Sequence, residues 1–134
     1  MGFQLSNPTT MPPATGGYSQ LAVVRSGKLV LIAGQIANDS SGNLVGKDDF
    51  RAQVEQIFKN LGTALAAAGG NFQNLVKISN HCVDRVEAGH LSAYREVRDR
   101  YINVAAPPVS TFVYVSRLVR PDWLFEMDAM AIID

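Results

Sequence analysis

The chain alternates short apolar runs with segments of helical periodicity. Leu21-Ala22-Val23-Val24 and Leu29-Val30-Leu31-Ile32-Ala33 are two such runs, and the polar stretch Arg25-Ser26-Gly27-Lys28 between them has the composition of a hairpin turn. The second run ends at Gly34-Gln35, where a glycine lets a ligand or a neighbouring backbone come close, or simply marks a bulge or turn. After the polar loop Asn38 to Asn43, a helix is predicted from near Asp48 and Asp49, whose charges suit the positive end of a helix dipole. Val54, Ile57, Phe58, Leu61, Leu65 and Ala68 then recur at three- and four-residue spacing along one face, and Gly69-Gly70 is the expected stop.

Leu75 to Val83 reads as a strand. A second helix is predicted from about Glu87 to Ile102, with Leu91, Tyr94, Val97 and Tyr101 on one side and a charged, solvated side that includes Arg98 and Arg100. Pro107-Pro108 breaks the chain, and two strands follow, Ser110 to Leu118 and Trp123 to Ile133, across the turn Arg120-Pro121-Asp122. By contrast, Pro8 to Gly17 is too heavily punctuated by proline and glycine for regular structure and is expected to be a surface loop. The order strand, strand, helix, strand, helix, strand, strand predicts an α+β fold, with two helices on one face of a mixed or antiparallel sheet. Two helices cover only one face. In the last strand Phe125, Met127, Ala129 and Ala131 form an apolar face, and Glu126, Asp128 and Met130 point the other way. That second face is either wetted or packed on another subunit.

Composition narrows the picture. At 134 residues the chain suits one domain, spanning 1–134, and 47% hydrophobic residues are enough for a sizeable core. Twelve basic residues balance twelve acidic ones, so there is no net field to gather polyanions, and neither nucleic acid nor an anionic membrane is an expected partner. The missing self-repulsion fits an oligomer instead. The first residues, Met1 to Pro8, lack the basic and apolar regions of a secretory signal, no run reaches the ~18 residues of a membrane span, and the lone Cys82 fits a reducing compartment. A cytoplasmic location is therefore expected. Cys82, in an apparent strand beside Val83, reads as a small buried apolar residue.

The chemistry-bearing residues form no familiar cluster. His81 and His90 are the only histidines, no HxxxH or CxxC spacing supports a metal site, and no nucleophile elbow supports a serine hydrolase.

Several segments, taken together, match a known pattern. These are Gly16-Gly17-Tyr18-Ser19-Gln20; Ala33-Gly34-Gln35-Ile36; Leu65 to Gly70 with Val76-Lys77; Pro108 to Leu118; and Phe125-Glu126-Met127-Asp128-Ala129-Met130-Ala131. In this order and spacing the chain resembles the RidA/YjgF family of reactive-intermediate deaminases over nearly its whole length. The resemblance implies a chorismate-mutase-like homotrimer with sheets facing inward, helices outside and a cleft between each pair of neighbours. It also implies cofactor-free hydrolysis of enamines or imines, either 2-imino acids or aminomuconate-type products, to the oxo compound and ammonia.

Imine hydrolysis needs a carboxylate anchor, a placed water and a proton carrier. The family pattern has an arginine two residues after its signature proline, where this chain has Ser110, which is neutral and cannot make the two-pronged contact. Arg95 is either a replacement cation or an exposed arginine of the charged helix side. Glu126 matches the carboxylate that orients water and is either catalytic or an interface residue, as is expected of Asp128. Tyr18 matches a tyrosine that closes the cleft from the amino-terminal loop or is a packing residue. Gly34 would offer backbone groups to a ligand, and Phe112 would line the pocket beside Ser110, with Tyr114 following at strand spacing. A protein that binds a small carboxylate or aromatic metabolite without turnover is the alternative.

Overall fold

The computed structural model describes residues 2–134; Met1, the first residue of the stretch read above for a targeting signal, lies outside them. The order is β1 (Phe3–Ser6), β2 (Leu21–Val24), β3 (Lys28–Gln35), α1 (Phe50–Ala67), β4 (Leu75–Val83), α2 (His90–Asp99), β5 (Val109–Val115) and β6 (Phe125–Ile133). The main sheet has the order β3-β6-β4-β5. Its β3–β6 and β6–β4 pairs are antiparallel and β4–β5 is parallel, so the expected mixed sheet with two helices on one face is the observed fold.

The expected hairpin between Leu21–Val24 and the next strand does not form. Instead β2 pairs antiparallel with β1, a strand too short to stand out in the sequence, and Gly2 O accepts from the amides of Arg25 and Ser26. The eight-residue β3 pairs with the nine-residue β6, which offers a longer apolar ladder than the four residues of β2. The polar stretch therefore links two sheets rather than two paired strands.

The first helix forms as its periodicity requires. Asp49 caps it, accepting from the Ala52 amide, and Val54, Ile57, Phe58, Leu61 and Leu65 are fully buried against the sheet. Burial of each such side chain contributes about 1.5 to 3 kcal/mol. At the far end Gly69 adopts φ 86°, and the Gly70 amide reaches back to Leu65 O. The second helix starts later than its pattern predicts, at His90, because Gly89 at φ 87° turns the chain there. Strand β5 ends at Val115 rather than Leu118, and Arg117 and Leu118 lie in the following loop.

The apolar face of β6 is buried as expected: Phe125, Met127, Ala129 and Ala131 sit under the helices. The other face is open, and Leu29, Leu31, Val113 and Met130 are exposed there beside Glu126, Asp128 and His81. Cys82 is completely buried, and burial pushes its thiol up to about 12. No helix among the described residues is long and apolar enough to cross a membrane.

Candidate functional site

A concavity of about 390 Å³ lies where α2 overhangs the edge strand β5. Four of the residues singled out in the sequence line it: Tyr18, Arg95, Ser110 and Phe112. Tyr18 comes from a distant part of the chain, and its neighbour explains its position. Ser19 is buried, its Oγ donates to Pro107 O at 2.6 Å, and its amide donates to Pro108 O, so the Tyr18 loop is pinned to the residues that open β5. Tyr18 therefore shares a cavity with Ser110 within one chain.

Ser110 sits at the end of a buried polar chain. The Tyr94 hydroxyl donates to Asn80 Oδ1 at 2.8 Å, and Asn80 Nδ2 donates to Ser110 Oγ at 3.1 Å and to Thr111 O at 2.9 Å. Because Ser110 Oγ accepts from Asn80, its own proton is left to donate into the cavity. Tyr94 is almost fully buried, and burial pushes its phenol up to about 12 even though Arg98 and Asn80 pull the other way. It therefore remains a donor throughout the neutral range.

The two arginines of α2 divide their work. Arg98, expected on the solvated side, is buried. Its Nε meets Asp99 Oδ1 at 2.8 Å, its Nη1 donates to Gly16 O at 2.9 Å, and its guanidinium lies 5.6 Å from the Tyr94 ring centroid. The helical pattern misplaced it because an arginine stem packs like an apolar chain while its head finds polar partners. It clamps the amino-terminal loop. Gly17, at φ 74°, lies beneath it, and a Cβ there would come 2.5 Å from Arg98 Nη2. Arg95, in contrast, is exposed on the cavity wall and makes no ion pair among the described residues. Arg95 is thus an exposed residue of the helix that also lines the concavity.

The remaining walls are aromatic or apolar. Tyr94 packs edge-on to Phe112 at 5.3 Å, and Phe112 does the same to Tyr114 at 5.5 Å, while Leu91 closes one side. Tyr114 and Leu91 complete a wall that the sequence had already marked as apolar beside Ser110.

Gly34 and Glu126 stand apart from this cavity. Glu126 alternates with buried Phe125 and Met127, so it faces away from the helices, opposite His81 on β4. Gly34 lies at the irregular β3–β6 register, and its missing side chain makes room for Glu126: a Cβ there would sit 2.9 Å from Cδ and closer still to Oε2. One chain therefore carries two groups of site residues on different faces of the sheet. His81 Nδ1, beside Glu126, is buried without a hydrogen-bond partner. Among the described residues, no three metal-ligating side chains converge.

Residues 8–133 match the family described as Endoribonuclease L-PSP. The chain belongs to the RidA/YjgF family. Protein DfrA of Myxococcus xanthus is 36% identical over 121 residues, covering 90% of this chain and 88% of that protein. The mouse protein named 2-iminobutanoate/2-iminopropanoate deaminase is 30% identical over 124 residues, covering 92% and 87%. Among solved structures, a Rid-family protein of unknown function from Yersinia pestis superposes with a TM-score of 0.87 at 30% identity, covering 99% of this chain and all of that one.

Proposed function

We propose that this RidA-family chain hydrolyses an enamine or imine that carries a carboxylate and a planar or aromatic body, releasing the oxo compound and ammonia. One observation carries the reading: an aromatic-walled cavity of about 390 Å³ lined both by Ser110 and by the guanidinium-bearing Arg95, which makes no ion pair among the described residues. A three-carbon imino acid would leave most of that space empty. A phenyl-substituted 2-imino acid or an aminomuconate-type diene would fill it, its carboxylate on Arg95 and Ser110 and its flat body against Phe112 and Tyr114. The relative from mouse, named for deamination of short 2-imino acids, supports the reaction class. No cofactor is called on, because water is the only co-reactant in this hydrolysis.

Glu126 enters through a neighbouring copy. The exposed apolar residues of the open sheet face, Leu29 and Leu31 among them, favour a homotrimer in which that face is covered. In that arrangement the Gly34–Glu126 pair of one copy completes the cavity of the next and aims a water at the imine carbon. The reading is tested with imines made in place by a flavin amino-acid oxidase from phenylalanine or alanine, following 2-oxo acid release against trapping by semicarbazide. Acceleration over buffer, larger for the phenylalanine-derived imine, is expected. Equal rates for both would remove the substrate assignment, and no acceleration of either, nor of an aminomuconate, would remove the enzyme.

One observation favours a second reading, a binding protein for an aromatic carboxylate that turns nothing over: within one chain, Glu126 lies outside the cavity. Calorimetric binding of phenylpyruvate with no turnover of any imine would select it.

A further inference from the structure

Tyr114 and His90 are linked in a way that the anchoring and water-placing roles leave unused. His90 Nδ1 lies 2.8 Å from Glu87 O, and its Nε2 lies 2.6 Å from the Tyr114 hydroxyl, on the cavity wall. A backbone carbonyl only accepts, so Nδ1 carries a proton, and in the neutral ring Nε2 is the acceptor to which Tyr114 donates. The imidazole is held in this pose by Phe50, edge-on at 5.8 Å, and by its place at the first residue of α2 after the Gly89 turn.

We propose that Tyr114 and His90 form a proton relay that serves the leaving nitrogen, a role resting on the deaminase reading above. With His90 protonated, Nε2–H donates to the phenol oxygen, and the phenol proton is freed to point into the cavity. The phenol itself stays protonated there, since desolvation and the neighbouring Cys82 raise its pKa. As water adds to the C=N carbon, one water proton goes to the Glu126 carboxylate and the C=N π pair moves onto nitrogen. That nitrogen takes the Tyr114 proton, and His90 Nε2–H replaces it. The resulting carbinolamine forms its C=O as the C–N bond breaks. The nitrogen leaves as ammonia, with the proton that the hydroxyl releases. Solvent then reprotonates His90 and takes the proton from Glu126, so the sum is imine plus water to oxo compound plus ammonia.

The relay requires protonated His90, so kcat declines toward alkaline pH. The charged groups on the elements around the pair are Glu87 and Arg85 in the preceding loop, Asp48 and Asp49 at the start of α1, and Arg95 further along α2. Cys82 on β4 adds its thiol. None of these lies between His90 Nε2 and the phenol, which are in direct contact.

The test uses the full chain and the phenylalanine-derived imine. Tyr114→Phe is expected to lower kcat about 100-fold with KM within about twofold, in keeping with the worth of a positioned acid. His90→Gln, acting through Tyr114 as a positioning change, is expected to lower kcat about tenfold or more and to abolish the descending limb of the pH profile. Nitrogen-15 NMR of the wild type gives a readout independent of turnover, with the neutral His90 ring expected as the Nδ1–H tautomer. A wild type that accelerates the imine while both variants keep its kcat and its limb would overturn the relay alone. The Nε2–H tautomer would do the same. A wild type inactive on every imine would overturn the deaminase reading and the relay with it.

Discussion

Gly34→Ala separates the geometry of the Glu126 carboxylate from the stability of the fold. The added Cβ would stand 2.9 Å from Glu126 Cδ and 3.2 Å from Cγ, against the ~3.5 Å or more at which carbon atoms rest. What gives way is the far end of a flexible side chain, not backbone. The carboxylate must therefore swing aside by roughly an ångström, at about 0.5 to 1.5 kcal/mol for an off-rotamer pose. Alanine also narrows the unfolded ensemble and returns about 0.4 to 1 kcal/mol, so net stability is expected within about 1 kcal/mol of wild type. Catalysis is far less forgiving, since an ångström of misplacement can cost on the order of 100-fold. The assay pairs thermal unfolding at fixed protein concentration with kcat on the phenylalanine-derived imine. The expected outcome is a nearly unchanged midpoint with kcat about 100-fold lower. Adding Glu126→Asp, which draws the carboxylate back by one methylene, should show coupling in a double-mutant cycle instead of additive losses. Wild-type kcat in Gly34→Ala would refute the reasoning, because the carboxylate would then have no need of the space that the glycine leaves.

Three further predictions test other parts of the molecule. Arg95→Gln is expected to raise KM roughly 10- to 100-fold, the worth of a charge-assisted contact, while leaving the unfolding midpoint in place; an unchanged KM would remove Arg95 as the anchor. Gln53→Leu should cost about 2 to 3 kcal/mol in denaturant unfolding, because the buried amide of Gln53 donates to Gly46 O and Asp122 O and accepts from the Leu124 amide; a loss below about 0.5 kcal/mol would contradict that network. Tyr94, Tyr101 and Cys82 each have a folded pKa raised to about 12, so the folded state holds these protons more tightly than the unfolded chain. Their stabilisation is complete below the unfolded values near 9 to 10 and is lost as pH climbs toward 12, so the denaturant midpoint should fall over that window. A flat midpoint between pH 9 and 11.5 would speak against it.

Local periodicity carried the helices and the core: the stripe from Val54 to Leu65 and the alternation along β6 left little choice of which face was buried. Pairing was harder to read, because a four-residue strand such as Phe3–Ser6 has almost no pattern of its own, and β3 takes the long β6 as its partner and leaves β2 to β1. The candidate site was legible where residues fall on one strand or beside a fixed motif, as with Ser110, Phe112 and Tyr18. Arg98 was not. Helical spacing places a residue on a face, but whether a guanidinium there meets water or the carbonyl of Gly16 depends on a loop more than eighty positions away in sequence. The His90–Tyr114 contact was hidden for a similar reason, since it joins a helix start to a strand that the sequence places well apart.

Where an incoming anion settles is set by the Arg98 clamp. Its Nη1 is already committed to Gly16 O, while Arg95 carries no such bond, so the two guanidinium groups offer an incoming anion unequal terms. An anion settling on Arg95 leaves the proline-rich segment fastened, because Ser19 and Arg98 hold it by bonds of their own. Loss of the Arg98 bond alone would still leave Ser19 on Pro107 O and Pro108 O, so Tyr18 is held from two sides.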